Sequence, residues 1–186
     1  MKKLHLGCGN KILKGWINID ILPIECGEEE KCIVHDIVFM KDLFDDESID
    51  EIYACHVLDH LSRNKELDKA LAEWNRILRP GGILRVAVSD FEKVVKMYNE
   101  GLDLERLWGF IVGGHKNEYD KHGCVFDFNT LRRYLEKHGF VNVRRYRWQD
   151  FLPEGFEDNS CATIPKWDLN GYLMSLNVVC NKKEEK

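Results

Sequence analysis

The sequence predicts an α/β doubly wound domain built on a mainly parallel sheet, and three observations predict it. Short apolar runs end at turn or polar signals, segments with apolar residues at helical spacing follow, and the two kinds alternate along the chain. The 186 residues, 44% apolar and 32% charged, are enough for one such domain with a buried core. We expect that domain over residues 1–180, with an insertion near 101–128 and a charged tail, "NKKEEK", at 181–186.

The runs "KLHLG", "GWINIDI" and "KCIVHDI" read as three short strands. "SIDEIYACHVL" begins as a fourth, where Ile49, Ile52 and Tyr53 lead to a polar edge at Cys55 and His56. From Glu66 to Leu78 the period changes: Leu67, Ala70, Leu71, Trp74, Ile77 and Leu78 recur at three- and four-residue steps, one face of a helix. Pro80-Gly81-Gly82 should end it, leaving "ILRVAV", residues 83–88, as a buried strand. One further helix fits Phe91, Val94, Val95 and Tyr98. Another fits Leu131, Tyr134, Leu135 and His138, with Asn129 or Thr130 as cap and Gly139 as terminator. "FVNVRRYRW" and "SLNVVC" supply two late strands.

A formal charge of −5 opposes partners rich in phosphate, so neither nucleic acid nor a membrane surface is expected. The basic cluster Arg132, Arg133, Lys137, Arg144, Arg145 and Arg147 reads as a solvated face. "MKKLHLGCGN" has too brief an apolar stretch for a signal peptide, and no run approaches the roughly 20 residues of a membrane span, so a cytoplasmic protein, monomer or homodimer, is expected. Seven cysteines scattered through segments such as "IYAC" and "LNVVC" read as reduced thiols. Cys26, Cys32 and His35 are zinc-type ligands, but the five-residue gap between the cysteines is wider than the usual two to about four and no second pair follows. No metal is expected.

Ligands of open α/β sheets sit beyond the carboxyl ends of the strands. Gly7 and Gly9 fall there, after the first strand, where glycine permits positive φ and close approach to the backbone. Alone, such a pair is equally an ordinary turn. Asp20 ends the second strand and offers a carboxylate to both hydroxyls of a ribose, or else serves as a cap or solvated loop residue. Asp36, after the third strand, lies where a carboxylate or backbone amide meets an adenine edge. The three together describe a nucleoside pocket. A dinucleotide fingerprint wants a third glycine where Ile12 stands and a full helix behind it. Only ten residues separate Gly9 from Asp20, and the second strand leaves room for about one helical turn. No Gly-Lys-Ser/Thr is present either, so the pocket suits adenosine without a polyphosphate.

In these motifs the sequence resembles the class I S-adenosylmethionine-dependent methyltransferases, in particular small bacterial members of the methyltransferase-domain type. "LHLGCGN" looks like their glycine-rich first motif, "NID" their ribose-binding acidic end and "HDI" their adenine-site strand end. "SIDEIYACHVLDHL" resembles the strand and helix start often written "LEHL", and "ILRPGGILRVAV" the fifth-strand motif. His5 stands where many relatives carry an acidic residue, and Leu43 where "LPF" has proline.

The resemblance implies a Rossmann-like, seven-stranded sheet with a shortened first helix. It also implies S-adenosylmethionine as cofactor, and a methyl acceptor with an oxygen or nitrogen on a small molecule, sugar or lipid-linked group. By position it assigns cofactor contacts to His5, Gly7, Cys8, Gly9, Asn10, Asp20, Asp36, Ile37, Cys55 and His56. Gly7, Cys8 and Gly9 would meet the methionine portion, Asp20 the ribose, Asp36 with Ile37 the adenine, and Cys55 with His56 the methionine and acceptor side. A general base, if used, is sought first in His56 and His60, then in His115 and His122 of "GGHKNEYDKHG"; each is otherwise structural or solvent-facing. Asp59 is either a helix N-terminal carboxylate or a base. The rival from another class is a non-catalytic adenosine-binding module. A dehydrogenase fails on the missing glycine, and a spermidine-synthase-like transfer lacks a polyamine pocket.

Overall fold

In the computed structural model, which describes residues 1–165 and 170–184, the early apolar runs form β1 (Lys3–Leu6), β2 (Ile17–Asp20), β3 (Lys31–Val34) and β4 (Ile49–Cys55). α1 (Leu67–Ile77) follows, then β5 (Leu78–Ser89), α2 (Phe91–Asn99), α3 (Trp108–Ile111), α4 (Phe128–Lys137) and β6 (Phe140–Arg145). A small ribbon pairs β7 (Thr163–Ile164) with β8 (Tyr172–Leu173), and β9 (Ser175–Lys182) returns to the main sheet. The seven strands lie in the order β3-β2-β1-β4-β5-β9-β6, with β1 to β5 parallel and β9 antiparallel to both its neighbours. The chain leaves β1 toward one edge and returns to β4 on its other side. That reversal opens a crevice above the carboxyl ends of β1 and β4.

The first crossover, expected to hold a shortened helix, holds only turns. Its backbone groups are satisfied by a buried side chain instead. Asn18 Nδ2 donates to the carbonyls of Leu13 and Trp16 at 3.1 and 3.2 Å, and its Oδ1 accepts from Leu13 N at 2.9 Å. β5 starts five residues before the expected "ILRVAV", because Pro80 sits inside a register shift of the β4–β5 ladder, where its missing N–H costs no pairing. The cap of α4 is Asp127, which accepts from Thr130 N at 2.6 Å, rather than Asn129 or Thr130; the helix begins at Phe128, ahead of its apolar stripe. Gly139 follows it at φ +84°.

Two expectations about the chain's chemistry are corrected. Cys26 and Cys32 form a disulfide instead of remaining thiols, which also removes both sulfurs from any zinc site with His35. They flank a loop leading into the edge strand β3, where burial cannot shelter a thiol. The other five cysteines are free. β9 extends through Asn181 and Lys182, both expected in the tail, because the Lys182 ammonium donates to Glu47 at 3.0 Å and to the Leu78 carbonyl at 2.9 Å. Residues 185–186 of that tail, and 166–169 of the late segment, lie outside the described residues. Among the described residues, no helix is long and apolar enough to cross a membrane.

The main core joins the sheet to α1 and α4, and Trp74 is its largest fully buried side chain. The Trp74 indole donates to the Ile37 carbonyl at 3.0 Å, while Glu73 on the same helix accepts from Met40 N at 2.9 Å. α1 thereby fixes the loop that carries Asp36 and Ile37. Trp74→Ala is expected to lower the unfolding free energy by about 3–5 kcal/mol, the range for emptying a buried aromatic site, as read from urea denaturation.

Candidate functional site

Gly7, Asp20, Asp36, Ile37, His56 and Val57 line one cavity of about 530 Å³ above the switch point. That volume falls inside the roughly 300–1,000 Å³ of small-molecule sites. Gly7 turns at φ +63°, and a Cβ there would stand 2.3 Å from Val57 Cγ2, so the turn and the loop after β4 touch without a side chain between them. Asp20 accepts from Gly9 N at 2.8 Å on one oxygen and from Leu22 N at 2.9 Å on the other. Each oxygen keeps a second lone pair for a ligand hydroxyl. Asp36 accepts from Val38 N at 2.8 Å, turning the chain along the wall. The lining carries the carboxylates of Asp20, Asp36, Glu66, Glu118 and Asp120 against the single ammonium of Lys116. Such a wall favours a cationic ligand and repels a pyrophosphate.

A second cavity of about 440 Å³ adjoins the first and shares His56, His60, Lys116 and Asp120 with it. Ser89, Arg106, Phe110, His122, Asn159 and Ile164 complete much of its wall. The histidines therefore stand where the two spaces meet.

Behind them lies Asp59, 1% exposed. One oxygen, Oδ2, accepts from Ser89 N at 3.2 Å and stands 3.3 Å from His56 Nδ1 and 3.8 Å from His122 Nε2. The Asp59 carbonyl accepts from Gly123 N and Cys124 N at 2.8 and 3.1 Å, which brings in the distant loop that carries His122. The His60 and His122 rings meet edge to face with centroids 4.7 Å apart. Burial alone would raise the Asp59 carboxyl, but His56 first, then His122 and His60, hold it down to about 2. For His122, burial lowers the pKa more than the Asp59 carboxylate raises it.

Hydrogen-bond accounting separates the histidines. Asn177 donates its amide to the Ser160 carbonyl at 2.9 Å, so its oxygen faces Ser175 and accepts that hydroxyl at 2.9 Å. His56 Nε2, 3.3 Å from the same hydroxyl, is left to donate to it, and its Nδ1 faces Asp59. Both nitrogens of His56 are engaged, and its backbone sits at φ +51°, a conformation uncommon outside glycine. By contrast, Asp59 Oδ1, His60 Nδ1 and His122 Nδ1 are buried with no hydrogen-bond partner among the described residues.

Of the residues singled out from sequence, Gly7, Asp20, Asp36, Ile37 and His56 meet at the first cavity, and His56, His60 and His122 at the second. The others stand elsewhere. His5, within β1, points into the packed face of the sheet, stacked on Tyr53 at 5.2 Å and donating to Asn18 at 3.1 Å. Burial pushes the Cys8 thiol up to about 12 and that of Cys55 well above its ordinary value, and neither lines the first cavity. Gly9 supports Asp20 from behind, and Asn10 is exposed. His115 bonds the Val112 carbonyl at 2.9 Å and lines neither space. Sequence reasoning missed Ser175, Asn177, Lys116 and Asp120. The polar alternation of Ser175 and Asn177 along apolar "SLNVVC" was their one available signal.

Residues 25–86 match a family model described as a methyltransferase domain. The fold is similar to that of an S-adenosylmethionine-dependent methyltransferase from Methanosarcina mazei, at 17% identity and TM-score 0.62 over 99% of this chain and 93% of the other. It is also similar to the CurJ carbon methyltransferase, at 14% identity and TM-score 0.61 over 99% of this chain, which spans about half (49%) of that protein. A third is the 1,6-didemethyltoxoflavin-N1-methyltransferase of Burkholderia thailandensis, bound to 1,6-didemethyltoxoflavin and S-adenosylhomocysteine, at 14% identity and TM-score 0.55 over 97% and 71% of the chains. No curated protein matches in sequence. The matched segment is about a third of the chain, and the fold is one shared with S-adenosylmethionine-dependent methyltransferases. The domain implies S-adenosylmethionine as cofactor, and the acidic cavity fits it: a sulfonium and an ammonium against one carboxylate leave the cofactor cationic, as the wall requires.

A pH dependence follows from His122. Its folded pKa lies below its unfolded value of 6.5, so the unfolded chain binds more protons as pH falls. The associated stability is present above pH 6.5 and is lost as pH drops through 6.5 toward the folded value. Asp59 opposes that shift, and His60 and His56 add to it. Urea midpoints at pH 7.5 and 5.5 should fall less for His122→Asn than for the wild type; the remaining slope includes buried His5, whose pKa burial also lowers.

Proposed function

We propose that this chain transfers the sulfonium methyl of S-adenosylmethionine to an oxygen or nitrogen of a small-molecule acceptor. The observation that carries the reading is the pair of adjoining cavities, one acidic and nucleoside-sized, the other walled by histidines. The cofactor supplies an already activated methyl group, so alignment and exclusion of water are the protein's main work. Asp20 holds the ribose hydroxyls, Asp36 and Ile37 flank the adenine, and the surrounding carboxylates draw the cationic end toward the junction. The second cavity holds the acceptor. There His60 and His122, backed by Asp59, present the buried polar atoms that meet the acceptor's proton as it leaves. Sugar and lipid-linked acceptors fall within the same chemistry. The acceptor bound by the Burkholderia enzyme supports a small molecule.

Asp20→Ala should weaken S-adenosylhomocysteine binding by roughly 10- to 100-fold in calorimetry, as expected for losing hydrogen bonds to a charged group. An unchanged Kd would remove Asp20 from the ribose site. Labelled methyl from S-adenosylmethionine should pass into the small-molecule fraction of a cell extract. His122→Asn should slow that transfer by about 10²- to 10⁴-fold while leaving S-adenosylhomocysteine binding intact. Binding without transfer into any fraction would instead identify a non-catalytic adenosine-binding module.

A further inference from the structure

We propose that Asp59, His60 and His122 form a binding site for one divalent transition-metal ion of the zinc type. Each offers one ligand atom, and these atoms lie within 4.8 Å of one another. Three buried polar atoms without partners among the described residues, Asp59 Oδ1, His60 Nδ1 and His122 Nδ1, occur in this one cluster. Buried polar groups are ordinarily paired, so three left unmet in one cluster call for a common partner. A cation meets all three at once, since a carboxylate and two imidazole nitrogens are electron-pair donors.

The cluster is held before any ion arrives. Asp59 Oδ2 is fixed by Ser89 N at 3.2 Å, leaving Oδ1 as the ligand oxygen. The Asp59 peptide carbonyl binds Gly123 N and Cys124 N, so the segment carrying His122 is fastened to the backbone of its fellow ligand. His60 follows Asp59 directly, in the turn after β4.

Ligand chemistry chooses the ion. Two imidazoles with one carboxylate suit zinc and its transition-metal neighbours, whereas magnesium and calcium take oxygen-rich shells. Three protein ligands leave a fourth position open, the pattern of reactive rather than structural zinc. His60 and His122 both line the second cavity, so an ion held by them would border that space. The inference rests on the methyltransferase reading only for its use: a cation here favours the ionised form of an acceptor hydroxyl, so the three groups act on the acceptor's proton through the ion rather than as free bases.

The test uses the untagged full chain, stripped with a chelator and titrated with zinc chloride in a calorimeter. One equivalent per chain is expected, weakened at least about 100-fold in His60→Ala and in His122→Ala, beyond the cost of losing an outer-shell contact. Magnesium chloride should give no saturable heat. Cys32→Ser should bind zinc as the wild type does; loss of binding in that variant would place the ion at β3 and overturn the proposal. So would a wild type that takes up no zinc, or alanine variants that bind it equally well. Should an alanine variant fail to fold, cobalt(II) in the wild type decides, with intense visible bands of a four-coordinate site expected and weak octahedral bands overturning it. S-adenosylhomocysteine titrated into the same samples separates the two readings. Zinc binding without nucleoside binding sinks the methyltransferase reading alone, and nucleoside binding without zinc sinks the metal site alone.

Discussion

The side-chain amide of Asn18 replaces a helix. Fully buried on β2, it closes hydrogen bonds to Leu13 from both ends, adds the Trp16 carbonyl, and accepts from His5 across the strand pair. A helical crossover would satisfy its own peptide groups. The ten-residue connection from Gly7 to Trp16 has no room for one, and an unsatisfied loop against the sheet would be costly. Leu13, tied at both its N–H and its carbonyl, can then sink beneath Tyr53 and Leu152 as a plug. With the crossover so tight, Gly9 N reaches the Asp20 carboxylate directly, and Gly7 and Asp20 line the same cavity. What the fold gives up is the helix N-terminus that would otherwise receive a phosphate.

That loss sets the electrostatics of the site. Without helix-end amides to offset them, the carboxylates of Asp20 and Asp36 leave the cavity negative, and Glu66, Glu118 and Asp120 deepen the field. Asp120 has a second task. It accepts from Gly114 N and Lys116 N through its side chain and from His115 N through its carbonyl, folding the 114–120 loop into a ring that borders both cavities. The loop that walls the first cavity is thus the one that delivers His122 to Asp59. The two cavities are coupled through a single loop that carries Asp120.

How much of this the sequence disclosed depends on the range of the interaction. The α1 stripe from Leu67 to Ile77 reads directly, because a helical face is a property of residues three and four apart. Asp20 and Asp36 read almost as well, since a parallel sheet places successive strand ends side by side. His5 did not: its position in the motif suggested the ligand, but strand alternation turns it under the sheet onto Tyr53. The Cys26–Cys32 disulfide was hidden for a different reason, since only strand order reveals that β3 is an edge. Asp59 looked like a helix-start carboxylate, and its actual neighbours, Ser89 and His122, are thirty or more residues away.

The choice among histidines shows where pattern ends and accounting begins. His56, His60, His115 and His122 all sit near glycine or strand-end signals, and spacing cannot rank them. Following each proton does. The Asn177 amide is oriented by Ser160, which commits the Ser175 hydroxyl to Asn177, which leaves His56 to donate; His115 is already spent on Val112. His60 and His122 remain, each with a buried Nδ1 that meets no hydrogen-bond partner within bonding geometry among the described residues, and both line the second cavity. Two imidazoles and a carboxylate oxygen unmet in one cluster among the described residues call for a partner from outside, and His60 and His122 border the second cavity, through which one can reach them.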